Sequence, residues 1–315
     1  MEEKLMHPKQ RLENHYLEQR RVQFDFSLTP EHWIYDNPFA THLINAVHLI
    51  LPVGELWMCR TFNQALPYVT DEKLRADVKG FIHQEAHHAA AHKVAQDYLR
   101  HYGYEIDEFI ASLDTIAKQI NTAPLGLGFS KNLEHRWLII RVGISAAVEH
   151  FTTMLGTWCL NDQPWQNKTA DEMMSDLMTW HLAEEVEHRS VDFDLYMHLC
   201  GEENKIFAYL QRQIIMTAVA PGFTFAIYQC FKKLTQQDTQ SKSFHRYGLL
   251  RSLAQTVIEN GRSKQVPSFF SMMLSLRHWL KPSYHPFYEG DTFKALQVID
   301  NSPAVKALTQ QLRVC

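Results

Sequence analysis

The chain has 315 residues, of which 45% are hydrophobic and 21% charged, with a formal net charge of -4. This is enough chain to bury a sizeable core and too ordinary a composition for disorder. The acidic balance, without a basic stripe, excludes nucleic acid as a partner.

Cys59, Cys159, Cys200, Cys230 and Cys315 are odd in number and form no CxxC pair. That argues against a disulfide framework or a thiolate zinc site and leads us to expect a reducing, cytoplasmic location. The polar start reads as no export signal. The apolar runs contain Glu55, Glu149 or Arg212, or are broken by Pro52 or Pro221, so none reads as an uncharged transmembrane span. Peripheral membrane contact by the later apolar segments stays open, as does a homodimer by analogy with other bundles.

In chain order, residues 1–37 are mixed and polar and read as an N-terminal arm, closed by the turn signal Tyr35-Asp-Asn-Pro38. A first helix follows from about Thr41 to Ala65, with Leu43, Ile44, Val47 and Leu51 at helical spacing and a kink expected at Pro52. Asp71 caps a second, long helix that Gly103 ends. Pro124-Leu-Gly-Leu-Gly128 is loop chemistry in a long linker. The third helix runs from about Lys131 to Leu160 and the fourth from about Ala170 to Cys200, stopping at Gly201. Short connections within each pair and a long one between pairs give an all-α, ferritin-like four-helix bundle over 38–201, with one long crossover.

Residues 202–315 form a C-terminal helical extension packing on the bundle, with segments Glu203 to Ala220, Gly222 to Leu234 and Phe244 to about Leu280. It is rich in aromatic and methionine residues, among them Phe223, Phe231, Phe269, Met272 and Trp279. Packing as core is the simpler reading; an apolar substrate channel or membrane-facing patch is the other.

The chemistry sits in the bundle. Glu85 and His88 form Glu-x-x-His, which aims both side chains at one helix face, and Glu185 and His188 repeat it on the fourth helix. The first and third helices each place one carboxylate inside an apolar run, Glu55 and Glu149. A buried carboxylate needs a cation or a hydrogen-bonding partner. The order Glu55, Glu85, His88, Glu149, Glu185, His188 is the ligand order of dimetal carboxylate proteins. We therefore expect two divalent metal ions, iron first, with manganese or a mixed pair as alternatives.

His92 lies one turn after His88 and His181 one turn before Glu185, which places both at one end of the centre as an additional ligand, outer-sphere groups or catalytic proton donors. His83 and His87 point away and read as packing or surface residues. Glu184 and Glu187 are expected in salt bridges, to Arg136 or Arg141, and His150 points elsewhere. Asp192, one turn past His188, is placed to orient a ligating imidazole.

Phe62-Asn-Gln-Ala-Leu-Pro67, the stretch Phe81 to His88, Glu149-His-Phe-Thr152, Trp180 to His188 with Asp192-Phe-Asp-Leu-Tyr196, and Tyr284-His-Pro-Phe287 together resemble the bacterial family of predicted metal-dependent hydrolases, over about residues 25 to 290. The resemblance implies a metal-dependent enzyme, and its motifs take in His92 and His181. Tyr284-His-Pro-Phe287 is either a lid element or a folded turn. The ligand set and apolar surround favour a dimetal oxidase or oxygenase using dioxygen on a small apolar or amphipathic substrate. Hydrolysis by a metal-bridging hydroxide is the alternative, and metal storage or a ferroxidase the third.

Overall fold

The computed structural model describes residues 15–121, 131–201 and 205–314, with side chains as far as 310. The first fourteen residues of the arm, the expected loop at Pro124 to Gly128 and Cys315 lie outside the described residues. The fold is all-α: α1 (Pro38–Ala65), α2 (Glu72–His101), α3 (Asp107–Asn121), α4 (Lys131–Asp162), α5 (Glu172–His188), α6 (Val191–Cys200), α7 (Lys205–Thr235), α8 (Lys242–His245), α9 (Leu249–Ser263), α10 (Phe269–Trp279), α11 (Thr292–Asn301) and α12 (Pro303–Val314). Among the described residues, strand-like pairing is limited to an antiparallel bridge between Ile34 and Ala170.

Local chemistry sets the helix starts. Asn37 accepts from the Ala40 amide at 3.1 Å, with Pro38 in the first turn of α1. Asp71 accepts from Leu74 N at 2.7 Å to open α2, and Asp171 from Met174 N at 2.9 Å to open α5. Each side chain satisfies an amide that has no partner inside its helix.

α1 lies against α2 and α4, and α5 lies against α4 and α2, so these four helices close a ring. Gly156 permits the close approach of α4 and α5, because a Cβ there would meet the Leu182 carbonyl oxygen. The arm belongs to the core: Phe24, Phe26, Trp33 and Ile34 are buried with residues of α1, α2 and α5. The Trp33 indole donates to Asn45 Oδ1 at 2.8 Å.

Three helix expectations need correction. The fourth helix is broken at Arg189 and Ser190 into α5 and α6. Buried Arg189 donates to the carbonyls of Val186, Pro286 and Phe287, so tertiary bonds to the 286–292 segment draw the chain out of the helix there. Conversely, α7 runs unbroken through Pro221-Gly222, where a break was expected. Packing on α1 and α4 outweighs the hydrogen bond that proline removes. The last expected segment divides into α8, α9 and α10. Tyr284 to Phe287 forms a packed turn, with the Tyr284 hydroxyl 2.8 Å from His150 Nδ1.

By length and composition alone, Pro38–Tyr68, Lys131–Asp162 and Lys205–Thr235 would each suffice to cross a membrane. The first two carry Glu55 and Glu149 and are 61% and 72% buried by the rest of the chain over their most apolar windows. The third is 22% buried.

Asp171 also accepts from the Thr29 hydroxyl at 2.9 Å, so it joins the arm to the start of α5. Asp171→Ala should lower stability in urea unfolding by about 1–2 kcal/mol; an unchanged midpoint would show that neither bond matters.

Candidate metal centre

Glu55 on α1, Glu85 and His88 on α2, Glu149 on α4, and Glu185 and His188 on α5 are all buried, each no more than 2% exposed. The ring of helices brings them together with His181. Two groups of side chains could each hold a metal ion, with ligand atoms within 4.8 Å of one another: Glu55, His88 and His181, and Glu85, Glu149, Glu185 and His188.

The groups abut. Glu85 Oε1 lies 3.3 Å from His88 Nδ1 and 3.4 Å from His188 Nε2. Glu185 reaches His181 Nε2 at 2.6 Å through Oε1 and His188 Nε2 at 3.2 Å through Oε2. Glu55 Oε1 is 3.6 Å from His181 Nε2, and Glu149 Oε2 is 3.3 Å from His188 Nε2. Both carboxylate oxygens of Glu55 and of Glu85, with His88 Nδ1, are buried and lack a hydrogen-bond partner. Unpartnered buried oxygens cost several kcal/mol each unless a cation satisfies them, so the donor set fits divalent ions.

Electrostatics point the same way. Burial, then the neighbouring charge of Glu85, holds the Glu55 carboxyl well above its usual range; burial and the charge of Glu185 do the same to Glu149. Burial also pushes Glu185 up, but the charge of His188 and bonds from His181 and His188 outweigh it and keep Glu185 ionised. For His88 and His188, burial favours the neutral ring, yet the charges of Glu85 and Glu185 respectively lead the effects that hold them protonated. Without metal, the cluster therefore keeps itself near neutrality by holding protons.

The outer faces of both imidazoles are fixed by one network. His88 Nε2 bonds Glu184 Oε2 at 2.9 Å, and His188 Nδ1 bonds Gln84 Oε1 at 3.0 Å. Gln84 in turn donates to Glu187 Oε2 at 3.0 Å. Arg20, from the arm, donates through Nη1 to Glu184 and to Glu187, each at 2.8 Å. Burial pushes Glu187 up, but His15 and Arg20 outweigh it and hold the carboxyl low. Arg20 thus takes the role expected of Arg136 or Arg141; Arg141 instead bonds Asn121 and Gln64. Asp192 accepts from the Ser145 hydroxyl, so the imidazole assigned to it from sequence belongs to Gln84.

His92 and His181 lie in contact, with His92 Nε2 2.7 Å from His181 Nδ1. The row continues to a histidine that sequence reasoning missed, since His92 Nδ1 lies 2.8 Å from His48 Nδ1. Burial leads the effects that keep all three rings neutral, and it pushes His48 down to about 3. The available signal was its spacing, seven residues before Glu55 and so on the same face of α1. His83 is exposed, and His87 bonds back to its carbonyl at 2.8 Å.

A cavity of about 530 Å³ runs to His181 and Thr152. Its walls are otherwise almost wholly apolar, from Leu43 and Val47 of α1 to Phe223, Leu253 and Met272 of the later helices. A larger hollow, of about 740 Å³ and with a more mixed lining, touches His188 alone of the expected ligands. A third grouping, His32, His42 and Asp238, lies apart. Both imidazoles approach Asp238 Oδ2 at 3.0 and 2.8 Å, which are hydrogen-bond lengths, and this clamp ties the arm to α1 and the turn after α7.

Two outcomes follow. Arg20→Ala should weaken metal binding by roughly 10- to 100-fold in chelator competition, because it frees both outer carboxylates; an unchanged affinity would place Arg20 outside the site's support. Metal loading must displace the protons held by Glu55, Glu149, His88 and His188. Calorimetry in buffers of different ionisation enthalpy should therefore show net proton release, with affinity rising with pH; proton uptake would contradict the assignment.

No curated protein and no solved structure matches the chain. The family model described as "Predicted metal-dependent hydrolase" matches residues 18–290, the span that includes Arg20, every buried glutamate and histidine of the centre and the turn at Tyr284, and the chain belongs to that family.

Proposed function

We propose that the chain is a dimetal-carboxylate hydrolase of ferritin-like architecture, cleaving an ester- or amide-type bond in an amphipathic substrate. The observation that carries this is the abutment of two buried donor groups, one of which reaches an apolar cavity through His181, in a chain of this family. Family membership moves hydrolysis ahead of the oxidation that the residues alone put first.

Glu55 would help hold one ion and Glu149 the other, with Glu85 and Glu185, which lie between the groups, contributing to the set. His88, His181 and His188 would complete the set. Bound there, two divalent ions supply Lewis acidity and a water acidified towards neutrality. Water adds across the acyl bond and gives acid and alcohol or amine. The cavity walls hold the apolar part of the substrate and exclude bulk water.

With His181 facing the centre through Nε2, its Nδ1–H donates to His92 Nε2, and His92 Nδ1–H donates to His48 Nδ1. His92 thereby fixes the tautomer and orientation of His181, and the row offers a buried path for a proton. His92 is accordingly a positioning residue, and His181 a ligand. Oxygen-rich donors with three imidazoles suit iron or manganese.

A second reading, activation of dioxygen by a reduced iron pair, is favoured by the same four carboxylates and by a cavity that offers an acyl group almost no polar partner. The test is a series of p-nitrophenyl esters of increasing acyl length, assayed with iron-, manganese- and zinc-loaded protein. Hydrolysis should favour the longer chains, persist with zinc, and fall at least ~1000-fold in Glu85→Ala, since its loss opens both ion positions. Inactivity on every ester, with oxygen uptake by the reduced iron form, would overturn it in favour of the second reading.

A further inference from the structure

The helices that roof the cavity have a second apolar face. On α7, Ile206, Leu210, Ile214 and Phe225 lie along one stripe, with Ile206 79% and Ile214 70% exposed. Leu250 and Ile258 of α9 stand two turns apart, and Leu250 is 81% exposed; on α10, Phe270 is 67% exposed beside Leu274. Other side chains of the same helices, Phe223, Ile227, Leu253, Phe269 and Met272, line the cavity. A single surface layer therefore shows apolar side chains outwards and encloses the cavity inwards.

Charge selects what covers it. Residues 205–281 contain eleven Lys and Arg against two acids, Asp238 and Glu259, a local net of +9 in a chain of -4 overall. Both acids are buried, whereas Lys242, Arg246, Arg251, Arg262, Lys264 and Arg277 are exposed around the apolar side chains. Exposed Leu, Ile and Phe rimmed by basic residues match an anionic lipid surface, with apolar groups at the acyl boundary and cations at the headgroups. A second copy of the chain would bring like charges together. Buried Arg212, bonded to the Trp279 and Lys281 carbonyls, fastens α7 to the end of α10 and keeps the layer together.

We propose that α7, α9 and α10 form a docking face for anionic membranes, through which the acyl chain of a lipid-derived substrate enters the cavity towards His181. The docking rests on nothing at the metal centre; the acyl-chain assignment rests on the hydrolase reading above.

The experiment is co-sedimentation of the full chain, metal-loaded and metal-free, with phosphatidylglycerol/phosphatidylcholine vesicles and with pure phosphatidylcholine vesicles. Both forms should bind the anionic vesicles at least tenfold more tightly, and high salt should weaken the binding. Phe270→Asp with Leu274→Asp, and separately Arg262→Glu with Lys264→Glu, should each reduce binding at least tenfold with metal content and melting temperature kept. Equal binding to both vesicles, or no binding, would overturn the docking face. So would a dimer in solution that Phe270→Asp with Leu274→Asp dissociates. Vesicle binding by a chain inactive on every acyl ester would keep the docking face and remove the acyl-chain entry.

Discussion

Four glutamates closed off from water within one ring of helices are the constraint on which the rest depends. Their mutual repulsion and lost hydration forbid four negative charges there without compensation. The metal-free chain answers by holding protons on Glu55 and Glu149 and on the two imidazoles of the Glu-x-x-His pairs. Divalent ions answer better, since they also satisfy the unpartnered oxygens of Glu55 and Glu85. An apolar core built around such a cluster makes sense when the cluster is filled.

The arm and the 286–292 turn hold the cluster from outside. Arg20 bonds Glu184, the outer partner of His88, and Glu187, which holds Gln84 against His188, and Arg189 breaks the last helix of the ring one residue after His188 to grip the turn. Both arginines are buried, and Arg20, through Glu184 and through Glu187 with Gln84, leaves the His88 and His188 rings little freedom to reorient. The arm is therefore a structural part of the centre and not an appendage.

The sequence disclosed what depends on helical period. Glu85 with His88 and Glu185 with His188 were legible because three-residue spacing fixes a common face, and the caps at Asp71 and the apolar runs around Glu55 and Glu149 are equally local signals. What stayed hidden depends on tertiary contact: Arg20 meets Glu184 across more than a hundred and sixty residues, and Gln84 replaces Asp192 only because of how α2 and α5 face each other. The basic surplus of 205–281 was there to be counted but vanishes in a whole-chain charge of -4. Pro221 misled because propensity yields to packing.

The cavity and the donor groups share His181: its Nε2 faces Glu185, and its Nδ1 leads away through His92 to His48. Everything rests on two ions occupying one cluster. The most direct measurement is anomalous X-ray scattering from crystals of the iron- or manganese-loaded protein. The account predicts two peaks roughly 3.5–4 Å apart, one among Glu55, His88 and His181 and the other among Glu149 and His188, with Glu85 and Glu185 between them. A single peak, no peak, or a peak at His32, His42 and Asp238 instead would contradict it.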